Sequence, residues 1–362
     1  MIQKKSKKKI ALIVMLITLV LLVGGGWAFS ARVYNENIDK RFESDEPLML
    51  HIEDFKGLEC TKYKFPSDKG QMLSGTFYHF GRDQRGIIII AHGYGAGHNS
   101  YMDCANYFAK HGYDVFAFDI TGNDESEGEG VGGFPQAVVD LDYAISFVEK
   151  SGNFPELPIG LFGHSWGGYS VCSVLSYHPE VKAVIACCGS NRSSDFFEAA
   201  GKHMAGDGIY AMMPFVKLHE WTKYGKYASN TAIDGFEASN AAVFITHSED
   251  DKVVPMQYGY DLYHKKYQDN PRFTFLLFKD KGHNDFLFDQ NNTYKETFFA
   301  SLDKWVKGLD YDQHAEENKA HFSESRAEYI HAHLDRLKWS NRLDEDLFDQ
   351  FLNFYDLNMK KE

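Results

Sequence analysis

Residues 158–170 read PIGLFGHSWGGYS. An apolar run leads into Ser165, which stands between Gly163 and Gly167. A serine gains nothing from packing there, and glycines on both sides weaken a strand or a helix. The pattern predicts a strand over 158–162, a sharp turn with the serine held at its tip, and a helix opening at Trp166. Small residues belong two positions before and after the serine, because a Cβ at either would crowd such a turn.

Working outward, the same strand-then-helix alternation recurs. RGIIIIAHG (85–93) is a β-branched run ending in glycine, as a fully buried strand requires. SYMDCANYFAKHG (100–112) has helical spacing and a glycine stop; YDVFAFDITG (113–122) reads as a strand and FPQAVVDLDYAISFVEKSG (134–152) as a helix. VKAVIACCG (181–189), NAAVFITHS (240–248) and PRFTFLLFKD (271–280) supply three more strands. Strict alternation implies right-handed crossovers, and so an α/β fold with a mostly parallel sheet covered on both faces. QMLSGTFYHFG (71–81) alternates more and suits antiparallel edge strands. Residues 190–239 break the rhythm. They hold no clear strand but many aromatics and methionines, among them Phe196, Phe197, Met204, Met212 and Trp221, which reads as a helical cap.

The two ends of the chain have their own character. Five lysines in the first nine residues precede Ile10–Phe29, a stretch without charge. Twenty residues at about 1.5 Å each span the roughly 30 Å hydrocarbon core of a bilayer. The expectation is a basic cytoplasmic segment (1–9), a transmembrane signal anchor (10–29) with Trp27 at the far interface, and a polar linker (30–49). The lysines favour the cytoplasmic side, which places the rest of the chain outside the cell membrane. The alternative is secretion after signal-peptide cleavage near Ala28 and Ser30. The α/β domain is expected over 50–308, and the acidic tail (309–362) as a helical extension.

Bulk composition excludes other classes. The chain has 362 residues, 44% of them hydrophobic, and a formal charge of −13, which argues against a nucleic-acid partner. Cys60, Cys104, Cys172, Cys187 and Cys188 are odd in number and mostly in apolar runs, so they read as core residues. No C-x-x-C or H-E-x-x-H occurs, so a structural zinc is not expected. GEGVGG (128–133) lacks the strand-to-helix context of a phosphate loop.

An alcohol is a poor nucleophile at neutral pH and needs a base, a group to orient that base, and N–H donors for a developing oxyanion. FITHSEDDKVVP (244–255) places carboxylates at the end of a strand; Asp251 is preferred over its neighbour Asp250. FLLFKDKGHNDF (275–286) places His283 in the loop after the last strand. Of sixteen histidines this one follows Ser165 and Asp251 in the order Ser…Asp…His. The backbone N–H of Trp166, just after the serine, and of Tyr94, in AHGYGAGHNS (91–100), are the candidate oxyanion donors. His98 in the same loop reads as a loop or substrate-facing residue.

AHGYGAG, FDITGNDESEG, GHSWGG, HSEDDKVVP and KGHNDF together resemble the α/β-hydrolase superfamily. More narrowly they look like its bacterial serine aminopeptidase, lysophospholipase and monoacylglycerol-lipase-like branch. The resemblance covers about residues 50–308 and implies an eight-stranded, mostly parallel sheet, a lid after strand six, and no cofactor. It departs from the usual pattern at Ser248, where relatives often carry glycine, and in the looser DITGNDESEG loop. The expected activity is hydrolysis of a small-molecule or lipid-like carboxylic ester through an acyl-enzyme. The alternatives are an aminopeptidase, for which Glu198, Asp207 and Glu220 could hold a substrate ammonium, and a non-catalytic membrane-anchored interaction module.

Overall fold

The computed structural model describes residues 2–81 and 84–360. Met1 of the basic segment and the last two residues of the C-terminal extension lie outside the described residues. Eight strands form one sheet: β1 (Glu59–Pro66), β2 (Met72–His79), β3 (Ile87–Ala91), β4 (Asp114–Phe118), β5 (Ile159–His164), β6 (Ala183–Cys187), β7 (Ala242–Ser248) and β8 (Phe273–Phe278). Their spatial order is β1-β2-β4-β3-β5-β6-β7-β8. β1 pairs antiparallel with β2 and β2 antiparallel with β4, while every later pairing is parallel. The antiparallel edge expected around 71–81 is therefore present, with β1 as the outer strand.

The isoleucine run explains itself in the packing. Ile87 and Ile89 point into one core, Ile88 and Ile90 into the other, and all four are buried. A strand with period-two side chains and helices on both faces must be apolar at every position. The register aligns the strand ends. Ala91 pairs with Gly163, and His164 with Cys187, so the loops leaving β3, β5 and β6 emerge side by side.

Thirteen α-helices are described. α1 (Ile2–Ile38) precedes the sheet; α2 (Met102–Lys110), α3 (Gln136–Lys150) and α4 (Trp166–Ser173) are crossovers. α5 (Ser193–Ala205), α6 (Met213–Tyr224), α7 (Lys226–Ser229) and α8 (Ala232–Ala238) lie between β6 and β7. α9 (Tyr260–Tyr267), α10 (Tyr294–Lys307), α11 (Lys319–His333), α12 (Arg336–Ser340) and α13 (Glu345–Asn358) complete the chain. Within 190–239 the secondary structure is helical throughout, with a 3-10 turn at Gly206–Ala211. α8 leaves the cap and returns to the sheet: a Cβ on Gly235 would stand 2.0 Å from the Cys172 carbonyl oxygen of α4.

Two segments are more integrated than their composition suggested. The first part of the polar linker, 30–38, is helical and continues α1, burying Ser30, Ala31, Tyr34 and Ile38. Those residues recur at helical spacing, so the segment has one covered face. The tail is not peripheral either. Phe348, Phe351 and Tyr355 of α13 are fully buried in the core beneath the sheet, and Tyr355 donates from its hydroxyl to the Leu161 carbonyl of β5 (2.7 Å). A Cβ on Gly160 would lie 2.5 Å from Met359 Sδ, so β5 has no room for a side chain under the tail.

α1 is the one helix among the described residues that is long and apolar enough to cross a membrane. None of its apolar window is covered by the rest of the protein, and a signal sequence has the same character.

Candidate active site

Ser165 sits at the junction of β5 and α4 with φ 58° and ψ −115°, a conformation non-glycine residues rarely adopt. The surrounding glycines are required by close backbone approach. A Cβ on Gly163 would stand 2.3 Å from the Gly167 carbonyl oxygen, and one on Gly167 would stand 1.9 Å from the Ala91 carbonyl oxygen. The turn therefore packs against itself and against the end of β3. Ser165 N–H donates to the Cys187 carbonyl (2.7 Å), which fixes the strained residue to β6.

The sequence-predicted partners converge. Ser165 Oγ lies 2.8 Å from His283 Nε2, and His283 Nδ1 lies 2.7 Å from Asp251 Oδ2. This geometry fits an Nδ1–H donating to the carboxylate and a free Nε2 facing the hydroxyl. The other oxygen of Asp251 accepts from the Val253 and Val254 N–H groups (2.8 and 2.9 Å). Burial works against the Asp251 charge. Hydrogen bonding to His247 and His283, the nearby imidazole and the Val254 N–H outweigh it and hold the carboxyl well below the usual range. Asp250 turns away from His283; it accepts from Ser248 Oγ (2.6 Å) and Gly282 N–H (2.9 Å) and so shapes the loop leading into His283.

Tyr94 and Trp166 flank the serine from the loops after β3 and β5. Neither backbone N–H donates to a protein acceptor among the described residues. The Trp166 ring is buried with its Nε1 donating to the Phe134 carbonyl (2.7 Å), while the Tyr94 hydroxyl donates to the Ile38 carbonyl at the end of α1 (2.7 Å). His98 is buried away from the pocket. Its Nδ1 is 2.7 Å from Asp119 Oδ1 and its Nε2 is 3.2 Å from Thr76 Oγ1, so it braces the loop. His92 does similar work: its Nε2 accepts from Ile120 N–H (2.9 Å).

Sequence reasoning missed two contributors. His164 donates from Nε2 to the His283 carbonyl (2.9 Å) and accepts at Nδ1 from the Tyr101 hydroxyl (2.8 Å), which accepts from Gly93 N–H (3.1 Å). One buried chain thus links the Tyr94 loop to the His283 loop. Burial, with the neighbouring His283 ring adding to it, lowers His164 to about 3, so it stays neutral. Its position beside the serine was the available signal; nothing in the sequence points to Tyr101.

Above these groups lies a pocket of about 620 Å³. Ser165 and His283 form its floor, and Phe196, Phe197, Met204, Ile209 and Met212 from the cap form much of its wall. No Asp or Glu among the described residues lines it. The acidic residues considered for an ammonium site go elsewhere. Glu198 accepts from the Tyr258 hydroxyl (3.1 Å), Asp207 is exposed near Lys202 (3.8 Å), and Glu220 is buried under Tyr34 and Ser193.

The strand order, the turn at Ser165 and the cap define the α/β-hydrolase fold, and the comparisons agree. The fold is shared with solved α/β hydrolases, and part of the chain is similar in sequence to proteins of that kind. Residues 82–213 match the family described as serine aminopeptidase, S33. Monoglyceride lipase of Rattus norvegicus is 34% identical over 101 residues, 27% of this chain and 33% of that protein. The match therefore spans about a third of the length of that curated relative. An uncharacterised protein of Bacillus subtilis, YqkD, is 26% identical over 313 residues, covering 82% of this chain and 97% of its own. Among solved structures the Pyrococcus furiosus esterase Pf2001 superposes with a TM-score of 0.53 at 17% identity, over 75% of this chain and 96% of that one.

Proposed function

We propose that this protein is a serine hydrolase that cleaves carboxylic esters through an acyl-enzyme. The observation that carries the reading is the unbroken hydrogen-bonded chain from Ser165 through His283 to Asp251 at the floor of an apolar pocket. Ser165 Oγ attacks the ester carbonyl carbon while His283 Nε2 takes its proton. The carbonyl π pair moves onto oxygen, where the Tyr94 and Trp166 N–H groups donate to it. Collapse expels the alkoxide, which receives the proton from His283 and leaves as the alcohol. Water, deprotonated by His283, then attacks the acyl carbon; Ser165 regains its proton and the carboxylic acid departs. Asp251 keeps Nδ1 protonated and stabilises the imidazolium of each step.

The cap's aromatic and methionine side chains support an apolar acyl or alkyl group as the part recognised. A peptidase acting on free amino termini needs a carboxylate near the serine to hold the ammonium, and no carboxylate among the described residues lines this pocket. α1 serves as a membrane anchor in this reading, with secretion after cleavage as the alternative.

The test is labelling of the full chain by a fluorophosphonate, beside its Ser165→Ala variant. Labelling of the parent alone, followed by turnover of acyl esters in preference to aminoacyl amides, is expected. A folded parent that resists the probe would leave an interaction module on a hydrolase scaffold as the better account.

A further inference from the structure

The pocket over Ser165 is not built by sheet and cap alone. Val33, Asn37 and Ile38, from the last turns of α1, form one of its walls. That end of α1 is fixed in place. The Tyr94 hydroxyl donates to the Ile38 carbonyl (2.7 Å), and the Tyr34 hydroxyl donates to Glu220 (2.7 Å) while accepting from Phe134 N–H (2.9 Å). α1 is one continuous helix from Ile2 to Ile38, so this wall is rigidly joined to the uncovered apolar stretch. Gly26 and Val33 are only about 10 Å apart along the axis.

α6 runs alongside α1 and fixes the height of the cap. The Phe215 ring lies against Gly26, where a Cβ would be 2.8 Å from Cζ. Further along, His219 stands 6.2 Å from the Trp27 ring and 3.0 Å from Asn35 Oδ1, and Lys223 lies 3.6 Å from Asp39. The N-terminal end of α6 therefore sits level with the last residues of the apolar stretch. Exposed apolar side chains occur along α5, the 3-10 turn after it and α6: Met204 is 84% exposed, Tyr210 45%, Leu218 40% and Trp221 57%. Met204, mostly exposed, also lines the pocket, so the pocket's edge reaches the protein surface there. Lys202 and Lys217 are exposed among these residues, as suits contact with anionic headgroups.

The geometry points to a pocket that opens onto the bilayer surface. α1 is at once the membrane-embedded helix and a wall of the acyl site, and the α5–α6 end of the cap rests in the interface. The substrate is then an apolar ester dissolved in the bilayer, which enters without crossing bulk water. The inference rests on the hydrolase reading of Ser165.

The experiment uses the full chain in phosphatidylcholine–phosphatidylglycerol vesicles, in a Cys60→Ser background because the other four cysteines are buried. Nitroxide labels on Met204→Cys, Leu218→Cys and Glu156→Cys are assayed for collision with oxygen and with a water-soluble nickel complex. Glu156 is exposed in the loop before β5, at the opposite end of the strand from Ser165. Positions 204 and 218 should be lipid-exposed and position 156 aqueous. In the unlabelled protein a long-alkyl fluorophosphonate dissolved in the bilayer should react at least about tenfold faster than a short water-soluble one at equal total concentration. If all three labels are aqueous, or the two probes react equally, the bilayer-facing site is overturned while the hydrolase reading stands. If neither probe reacts, the hydrolase reading falls, and the bilayer-dissolved ester with it.

Discussion

His164 Nε2 lies 2.9 Å from the backbone carbonyl oxygen of His283, so the residue before the serine holds the loop that carries the base. His164→Leu removes that bond and leaves the His283 carbonyl and the Tyr101 hydroxyl without their partner. In the hydrolase reading kcat should fall about 10- to 100-fold with little change in KM, because a small displacement of the base is enough. Steady-state kinetics on a soluble ester check this, and an unchanged kcat would show that the bond does not position His283.

Gly167→Ala should damage the fold and the site together. The new Cβ would meet the Ala91 carbonyl oxygen at 1.9 Å, a backbone atom that can move only if β3 and α4 separate. A loss of at least about 1–3 kcal/mol is expected. Urea titration reads the stability, and fluorophosphonate labelling should be lost with it.

Asp251→Asn tests the orienting carboxylate. The amide can turn its NH₂ toward His283 Nδ1 and favour the wrong tautomer, so kcat should drop by roughly 10⁴, as the same change does in a serine protease. Circular dichroism should be unaltered. Retention of most activity would sink the assignment of Asp251.

The cap should loosen as pH rises. Burial pushes Glu220 up to about 7, against hydrogen bonds from Ser193 and Tyr34 that favour its charge. The folded protein thus holds a proton that the unfolded chain releases near pH 4. Stability from this group is greatest below that value and is lost as pH rises through about 7. Asp195, pushed up to about 7 mainly by burial, acts in the same sense. Between about pH 5 and pH 8 the Tm of the parent should fall more than that of Glu220→Gln, which keeps only the Asp195 share. Parallel curves would refute the assignment.

Phe351→Ala asks whether the tail is core. Phe351 is fully buried and packs on Phe162 and Phe244. Truncating it should cost about 3–5 kcal/mol. A change below about 1 kcal/mol in urea titration would make the tail dispensable.

The sheet was largely legible because each central strand must be apolar on both faces, and β3, β4, β6 and β7 advertise this as unbroken apolar runs. Ser165, Asp251 and His283 were legible because each stands just past such a run, where side chains from distant segments meet. β1 was not, since an edge strand with exposed Cys60, Thr61 and Lys62 has no apolar run to read. α13 and the 30–38 helix were underread for another reason. Their partners, β5 and the cap, are remote in sequence, and an acidic or polar surround hid one apolar stripe in each. Tyr34, Tyr101 and His164 act through isolated hydrogen bonds to residues remote in sequence, which leave no periodic trace.

Both ends of the chain contribute to the interior: α1 closes the pocket, and α13 fills the space under β5. During synthesis α1 emerges before every strand of the sheet and α13 after all of them. Since domains fold as units, a chain interrupted before residue 345 lacks the side chains that fill the space under β5, the strand that leads to Ser165. The core on that side of the sheet is therefore complete only once residues 345–358 have been made.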